Sequence, residues 1–446
     1  MLLALPTSLL ILLVVTLAQN TETGTADVAS AAATALTSSP TSNVPGKAFN
    51  RFAVIWLENT DYLKAAGDPN LSSLASKGIT LTNYHAVTHP SQPNYMASVG
   101  GDYFGLGSDR FIALPSNISS IVDLLEDKGI SWGEYQEHMP YSGFKGFAWR
   151  NQNNGANDYV RKHNPLIMFD SIANNTQRLS CIKNLTMFYQ DLSTNRLPQW
   201  MFITPNMTND GHDTSVTTAG TWARRFLDPL MNDPNFMNNT LVLITWDENH
   251  TYTLKNNVFG ILLGDAVPVN LKGTTDTNVY THYSELATVE ANWNLHTLGR
   301  YDVGANVFSF VAQNTGDTIR NWTLPPFNQV FLNKSYSGPL NSAGGTWPMP
   351  NTIAVVNGRS VLPSVVNTWS LFPGETYYGN GIEISDAQHP PVLVGNGQTT
   401  ASSTFADLMP TSKSKSTTPL SQPERSWFFA TVCRVAFALL GWRNFD

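Results

Sequence analysis

Cysteine is nearly absent: Cys181 and Cys433 are the only two in 446 residues. They could pair in an exported protein, but Cys433 lies in a tail open to removal, so this disulfide is not expected. Charge is also sparse. Only 13% of residues are Asp, Glu, Lys or Arg, with 33 acids against 26 bases. No basic stripe stands out, which leaves nucleic-acid binding without support. No internal repeat is visible, and length alone leaves one large domain or two modest ones open. Apolar sequence is plentiful. At 42% hydrophobic the chain can build a substantial core, which argues against global disorder.

The first apolar run, residues 1–18, is short for a membrane span and ends on Thr16-Leu-Ala18, so it reads as a secretory signal peptide. A signal anchor is the alternative, because a basic n-region is missing. Residues 19–48 are rich in Ala, Ser and Thr and read as a disordered leader. Residues 395–426 repeat that composition as a Ser/Thr/Pro-rich linker. The apolar tail, 427–446, resembles a signal for a glycolipid (GPI) anchor, although Arg434 interrupts it; a short amphipathic helix is the bland alternative. Asn70, Asn117, Asn174, Asn184, Asn238, Asn321 and Asn333 open sequons expected to carry glycans. Asn206 and Asn249 open two more, inside polar clusters where a glycan would block access, and are expected bare. The chain is therefore expected to be secreted or held at the cell surface, in the cell wall or periplasmic space. Membrane contact would come only through the anchor.

Between these ends, from 49 to 334, strand-like and helix-like segments alternate, which predicts one α/β domain: a mostly parallel sheet sandwiched by helices. Asp68-Pro69 starts a helix, 119–128 and 217–231 carry helical apolar spacing, and His282 leads into another helix. Residues 335–394 are Gly- and Pro-rich and read as an irregular cap or edge extension of the same domain.

Three apolar runs stop abruptly at polar clusters. Arg51-Phe-Ala-Val-Ile-Trp-Leu57 runs into Glu58-Asn59, Trp200-Met-Phe-Ile203 into Thr204-Pro-Asn206 and Gly211-His212-Asp213, and Leu241 to Trp246 into Asp247-Glu248-Asn249. Open α/β sheets form their crevice beyond such carboxyl ends. Ser91, in a turn between Pro90 and Pro93, is the candidate nucleophile. Serine is weakly nucleophilic and needs a base or a metal, and no Gly-X-Ser-X-Gly elbow is present here. Glu58, Asp247 and Glu248 offer hard oxygen ligands instead. His89, His212 and His282 are candidate acids and phosphate binders, since imidazole titrates near the pH at which a leaving alkoxide needs a proton. Taken singly, each of these residues is more often structural; their grouping at neighbouring strand ends favours a site.

The segments Trp56-Leu-Glu-Asn59, Thr88-His-Pro-Ser-Gln-Pro-Asn-Tyr95, Tyr135-Gln-Glu-His-Met-Pro140, Thr245-Trp-Asp-Glu248 and Thr281-His-Tyr-Ser-Glu-Leu-Ala-Thr-Val-Glu290 together resemble a phosphoesterase family. That family joins secreted fungal acid phosphatases to bacterial acid phosphatases and phospholipases C within the alkaline-phosphatase-like superfamily. The resemblance implies Ser91 as nucleophile, with Glu58, Asn59, Ser91, Asp247 and Glu248 as metal ligands. It also implies His282 and His212 as catalytic histidines facing the phosphate. Asn94 and His89 would bind phosphate. Two-zinc relatives carry Asp-His where this chain has Asp247-Glu248, and Asp where it has Asn206. These departures argue for one hard divalent ion (calcium, magnesium or manganese). The expected activity is that of an acid phosphatase on small phosphate monoesters. A phospholipase C or other phosphodiesterase is the alternative, and a non-catalytic cell-wall glycoprotein the reading from another class.

Overall fold

The computed structural model describes residues 24–320, 339–341, 349–372 and 376–377. The segments 1–18, 395–426 and 427–446, the sequons at Asn321 and Asn333, and Cys433 lie outside the described residues. Cys181 is buried and has no disulfide partner among the described residues. No helix among the described residues is long and apolar enough to cross a membrane.

Nine strands among the described residues form one sheet: β1 (Arg51–Leu57), β2 (Ile79–His85), β3 (Trp132–Gln136), β4 (Ile182–Asn184), β5 (Trp200–Thr204), β6 (Thr240–Trp246), β7 (Asn257–Leu263), β8 (Thr274–Asp276) and β9 (Tyr280–Thr281). Their order is β8-β2-β7-β6-β1-β5-β3-β4, with β9 also paired to β2. Every pairing is parallel except those of β7, which runs against both β2 and β6. Helices flank the sheet, as the alternating pattern predicts. Asp68 caps the helix Pro69–Ala75 by accepting from the N–H groups of Asn70 and Leu71, with Pro69 at its first position.

The central strands read as nearly continuous apolar runs because both their faces are covered. Ala53 to Leu57, Trp200 to Ile203 and Leu241 to Trp246 are all buried. Register then places the chemistry. β1 pairs with β6 from Arg51 opposite Thr240 to Leu57 opposite Trp246, and with β5 through Ile55 opposite Ile203. Parallel neighbours in register reach their carboxyl ends together, so Glu58 and Asp247 leave the sheet side by side. Ile55→Ala would cost about 3 kcal/mol through lost burial and a cavity, and would loosen this end.

One expectation is overturned. The segment expected to be a disordered leader is ordered from residue 24, with a helix at Thr25–Thr34 followed by a strap of extended chain. Ser42 Oγ donates to Gln199 Oε1 (2.6 Å) and accepts from the Ser131 N–H (2.7 Å). Val44 exchanges two 2.8 Å bonds with the Gln199 amide, and Lys183 Nζ donates to Ser39 Oγ (3.0 Å). Gln199 and Ser131 each precede a strand, so the strap crosses the amino ends of β3 and β5. Its small polar side chains supply hydrogen bonds where composition suggested only a missing core.

Within the 335–394 extension, the described part contains a hairpin of Val355–Val356 and Arg359–Ser360, then a helix at Pro363–Trp369. Leu362 N–H donates to the Thr297 carbonyl, and Arg359 forks onto Asp317 (2.6 and 3.1 Å).

Candidate active site

Ser91 is the first residue of a ten-residue helix, Ser91–Gly100, entered through a cis His89–Pro90 bond; it is not in an open turn. Pro93 fits there because the first turn's N–H groups have no intrahelical partner. The Ser91 hydroxyl is buried and donates to Glu58 Oε2 at 3.2 Å. Asn94, expected to meet phosphoryl oxygens, shapes this turn instead. Its Oδ1 accepts from the Val87 and Thr88 N–H groups, and its Nδ2 donates to the Thr88 and Pro90 carbonyls and to Glu248 Oε2 (3.4 Å).

Four carboxylates converge around the serine, and Glu58, Asp210, Asp247 and Glu248 are each at most 1% exposed. Glu58 Oε1 accepts from Tyr95 OH (2.7 Å) and faces His163 Nε2 (3.0 Å), whose Nδ1 lies 3.4 Å from Asp210 Oδ2. Asn59, in the left-handed region at φ 46°, donates its N–H to Asp247 Oδ1 (3.0 Å). Burial raises the Glu58 carboxyl. Burial first, and then the charge of Glu58, pushes Asp210 and Asp247 well above the usual carboxylate range. Glu248 is pushed up by burial and then by Asp247. Lys162 lies against this cluster. Burial alone would lower it, yet Glu58 and Asp109 carry it above its ordinary value. Its ammonium donates to Asp109 Oδ2 (3.1 Å) and stands 3.4 Å from His212 Nε2.

The three expected histidines separate. His212 joins the site, with its side chain 27% exposed and its Nδ1 held by Asp213 at 2.7 Å. His89 lies behind Glu248, its Nδ1 2.6 Å from Oε2 and its ring stacked on Tyr252. Its Nδ1 and one ring face are thus committed to a carboxylate and a tyrosine of the site. His282 is fully buried between Trp56 and Tyr84, with Nε2 donating to the Asp247 carbonyl (2.6 Å) and Nδ1 3.2 Å from Tyr84 OH. Both nitrogens are engaged, so His282 faces no reacting group.

His163, Lys162, Asp210 and Tyr95 were not singled out from sequence. Asn206, read in place of a ligand, turns away and donates to Asp158 Oδ1 (2.8 Å) while capping its own turn. The loop's carboxylate comes from Asp210, four residues later. Asn206 and Asn249 are buried, with their amide nitrogens donating within the protein. Asn117, Asn174 and Asn238 are exposed, whereas Asn70 and Asn184 are half-buried.

The donor set suits a hard cation. One end of the Asn59 side-chain amide lies 3.3 Å from both Asp247 oxygens and 3.1 Å from Glu248 Oε1; as nitrogen it donates to them, and as oxygen it joins them as a ligand. Crowded oxygens without a proton between them are what a divalent ion satisfies, and burying several carboxylates otherwise costs several kcal/mol each, to order of magnitude. No three His, Cys, Asp or Glu side chains among the described residues already surround one point. The fit is thus one of donor chemistry, completed by the Asn59 and Ser91 oxygens, and not of a preformed cage.

The family model described as the phosphoesterase family matches residues 46–296. A probable acid phosphatase of Kluyveromyces lactis is 54% identical over 357 residues, 79% of this chain and 84% of that protein. An acid phosphatase of Aspergillus fumigatus is 51% identical over 349 residues, 77% of each. Among solved structures, a protein in the alkaline phosphatase superfamily from Vibrio parahaemolyticus matches with TM-score 0.37 and 12% identity, over 59% of this chain and 73% of that one. With the family model spanning more than half of its length and relatives about half identical over three quarters of it, the chain belongs to the phosphoesterase family.

Proposed function

We propose that this chain is a secreted acid phosphatase that hydrolyses phosphate monoesters through Ser91 and a phosphoserine intermediate. The observation that carries this reading is the Ser91 hydroxyl, buried on Glu58 beside further buried carboxylates, with Lys162 and His212 on the same cluster. The names of the Kluyveromyces and Aspergillus relatives support the substrate class.

Ser91 Oγ attacks phosphorus in line, its proton having Glu58 Oε2 as acceptor. The phosphorus–oxygen bond to the alcohol breaks as that bond forms. Lys162 offsets charge on the phosphoryl oxygens, and His212, oriented by Asp213, donates a proton from Nε2 to the leaving oxygen. Water then displaces Ser91 from phosphorus, releasing phosphate and restoring the hydroxyl. A divalent ion held by Glu58, Asn59, Ser91, Asp247 and Glu248 would acidify the serine and offset phosphoryl charge.

Hydrolysis of p-nitrophenyl phosphate against bis(p-nitrophenyl) phosphate at about pH 5, below the free histidine pKa, tests the reading with wild type and Ser91→Ala. Monoester turnover lost in the variant is expected. Preference for the diester would replace it with a phosphodiesterase, and activity surviving without Ser91 would remove the phosphoserine.

A further inference from the structure

The loop from Asn249 to Asn256 follows β6 and borders the site. Both its ends are tied to site-bearing segments. Thr251 donates from N–H and Oγ1 to the two Asp61 oxygens at 2.8 Å each, just beyond β1. Asn256 Nδ2 donates to the Thr88 carbonyl (2.9 Å), in the segment leading to Ser91, and Asn256 Oδ1 accepts from Asn249 N–H (2.9 Å). Asn249 Nδ2 and Leu254 N–H both bond to the Thr251 carbonyl. The loop is thereby held in one shape, with Tyr252 on it.

One face of the Tyr252 ring is stacked on His89, with centroids 3.8 Å apart and planes at 27°. Its hydroxyl lies 3.4 Å from Glu248 Oε1. The ring thus touches a carboxylate of the site and a residue two positions before the nucleophile. Holding His89 would occupy only one face, yet Tyr252 remains 53% exposed, and Leu254 on the same loop is 52% exposed.

We propose that Tyr252 is the wall on which the organic half of the ester stacks, so that this site favours aryl over alkyl phosphate monoesters; this rests on the phosphatase reading above. A phosphate seated at Ser91 projects its ester oxygen and the attached group out of the carboxylate cluster. An aromatic group leaving along this edge meets a flat ring already fixed in place, which costs little ordering on binding. A glycerol-like group has no face to offer.

The test measures kcat/KM for phenyl phosphate and glycerol 2-phosphate with wild type, Tyr252→Leu, Tyr252→Phe and Tyr252→Trp. Comparing the aryl-to-alkyl ratio between variants cancels the intrinsic reactivity of the two esters. The ratio is expected to fall roughly 3- to 10-fold in the leucine variant, the size of an aromatic stacking contact, mainly through KM for phenyl phosphate. The phenylalanine and tryptophan variants should keep it. An unchanged ratio in Tyr252→Leu, whether both rates hold or fall together, overturns the proposal and leaves Tyr252 as a support for His89. An equal fall in Tyr252→Phe overturns it too, by assigning the effect to the hydroxyl. A wild type inactive on both esters overturns the phosphatase reading, and this proposal with it.

Discussion

His282 Nε2 donates to the backbone carbonyl of Asp247 at 2.6 Å, and its other nitrogen lies 3.2 Å from Tyr84 OH. Tyr84 OH in turn donates to Glu285 Oε1 (2.6 Å), which also accepts from Trp56 Nε1 (3.0 Å). This network fixes the β6 end from behind. His282→Ala should therefore cost about 3 kcal/mol, by cavity and by stranded polar groups. Its residual activity should keep the wild-type shape of the pH–rate profile. Urea unfolding and a pH series on the purified variant check both points; a profile that loses one limb would return His282 to proton transfer.

Lys162 calls for the opposite outcome. Its ammonium sits beside Glu58, Asp109 and His212, and a dianionic phosphate needs such a cation against so many carboxylates. Lys162→Met should lower kcat/KM for p-nitrophenyl phosphate by about 100-fold or more, in the range found for removing one preorganised charge-stabilising group. Inhibition by inorganic phosphate should weaken in parallel, and Lys162→Arg should recover part of both. A Lys162→Met enzyme with unchanged phosphate inhibition would reduce the lysine to a partner of Asp109.

The strand ends were legible because an apolar run that stops at Glu58, Asp247 or Asn206 marks where a covered strand leaves the sheet. Ser91 was legible from the Pro-Ser-Gln-Pro-Asn segment, though not as a helix start. Lys162 and His163 were not, because they lie in a short 3-10 turn, Arg161–His163, preceded by no such run. In sequence a basic pair there looks like surface. Asp210 was hidden by loop length, since nothing in the spacing says which polar residue of 206–213 turns inward. His282 was misplaced for a related reason: a residue entering a helix can face either way, and only packing against Trp56 decides it. Composition likewise could not reveal that Ser39, Ser42 and Val44 meet Gln199, Ser131 and Lys183.

That strap gives a prediction separable from catalysis. Ser42 Oγ links Gln199 and Ser131 at the amino ends of the strands, away from the carboxylates at the other end. Ser42→Ala should destabilise by about 1–3 kcal/mol, because the part-buried Ser131 N–H loses its acceptor while Gln199 Oε1 keeps only the Val44 N–H. kcat/KM should stay within about twofold, as expected for a change far from the site. Denaturant midpoints and steady-state kinetics on the same preparation decide it. A large kinetic loss would mean the strap transmits strain along the sheet.

His85 should make the fold acid-sensitive. It is fully buried, with Nε2 2.7 Å from Asn83 Oδ1. Burial first, and then the nearby Lys255 charge, pushes its pKa down to about 3. The unfolded chain binds a proton at this residue below about pH 6.5, while the folded chain stays neutral until near pH 3. Stability from this group is therefore complete above pH 6.5 and declines as pH falls toward 3. Between pH 7 and pH 5 the loss should be about 2 kcal/mol. A His85→Gln variant lacks the titration, so its deficit relative to wild type should shrink by about that amount over the same interval. Urea unfolding at both pH values measures the difference, and a constant deficit would show that His85 does not titrate in this range.

A hard cation at Glu58, Asn59, Asp247 and Glu248 predicts behaviour besides turnover. Four carboxylates buried around Ser91 repel one another, and an ion bound to the folded chain alone stabilises it by mass action. Dialysis against a chelator should abolish hydrolysis and lower Tm. Adding magnesium, calcium or manganese to the dialysed protein should restore both. An Asp247→Asn variant separates metal binding from folding: the amide removes one of the crowded charges, so the dialysed variant should melt no lower than dialysed wild type. It should nonetheless respond weakly to added ion, because a neutral ligand binds a hard cation less tightly. If chelation leaves Tm and activity untouched, the inward end of the Asn59 amide is its nitrogen, donating to the three oxygens it faces. Lys162 and His212 would then be the groups left to offset the phosphate charge.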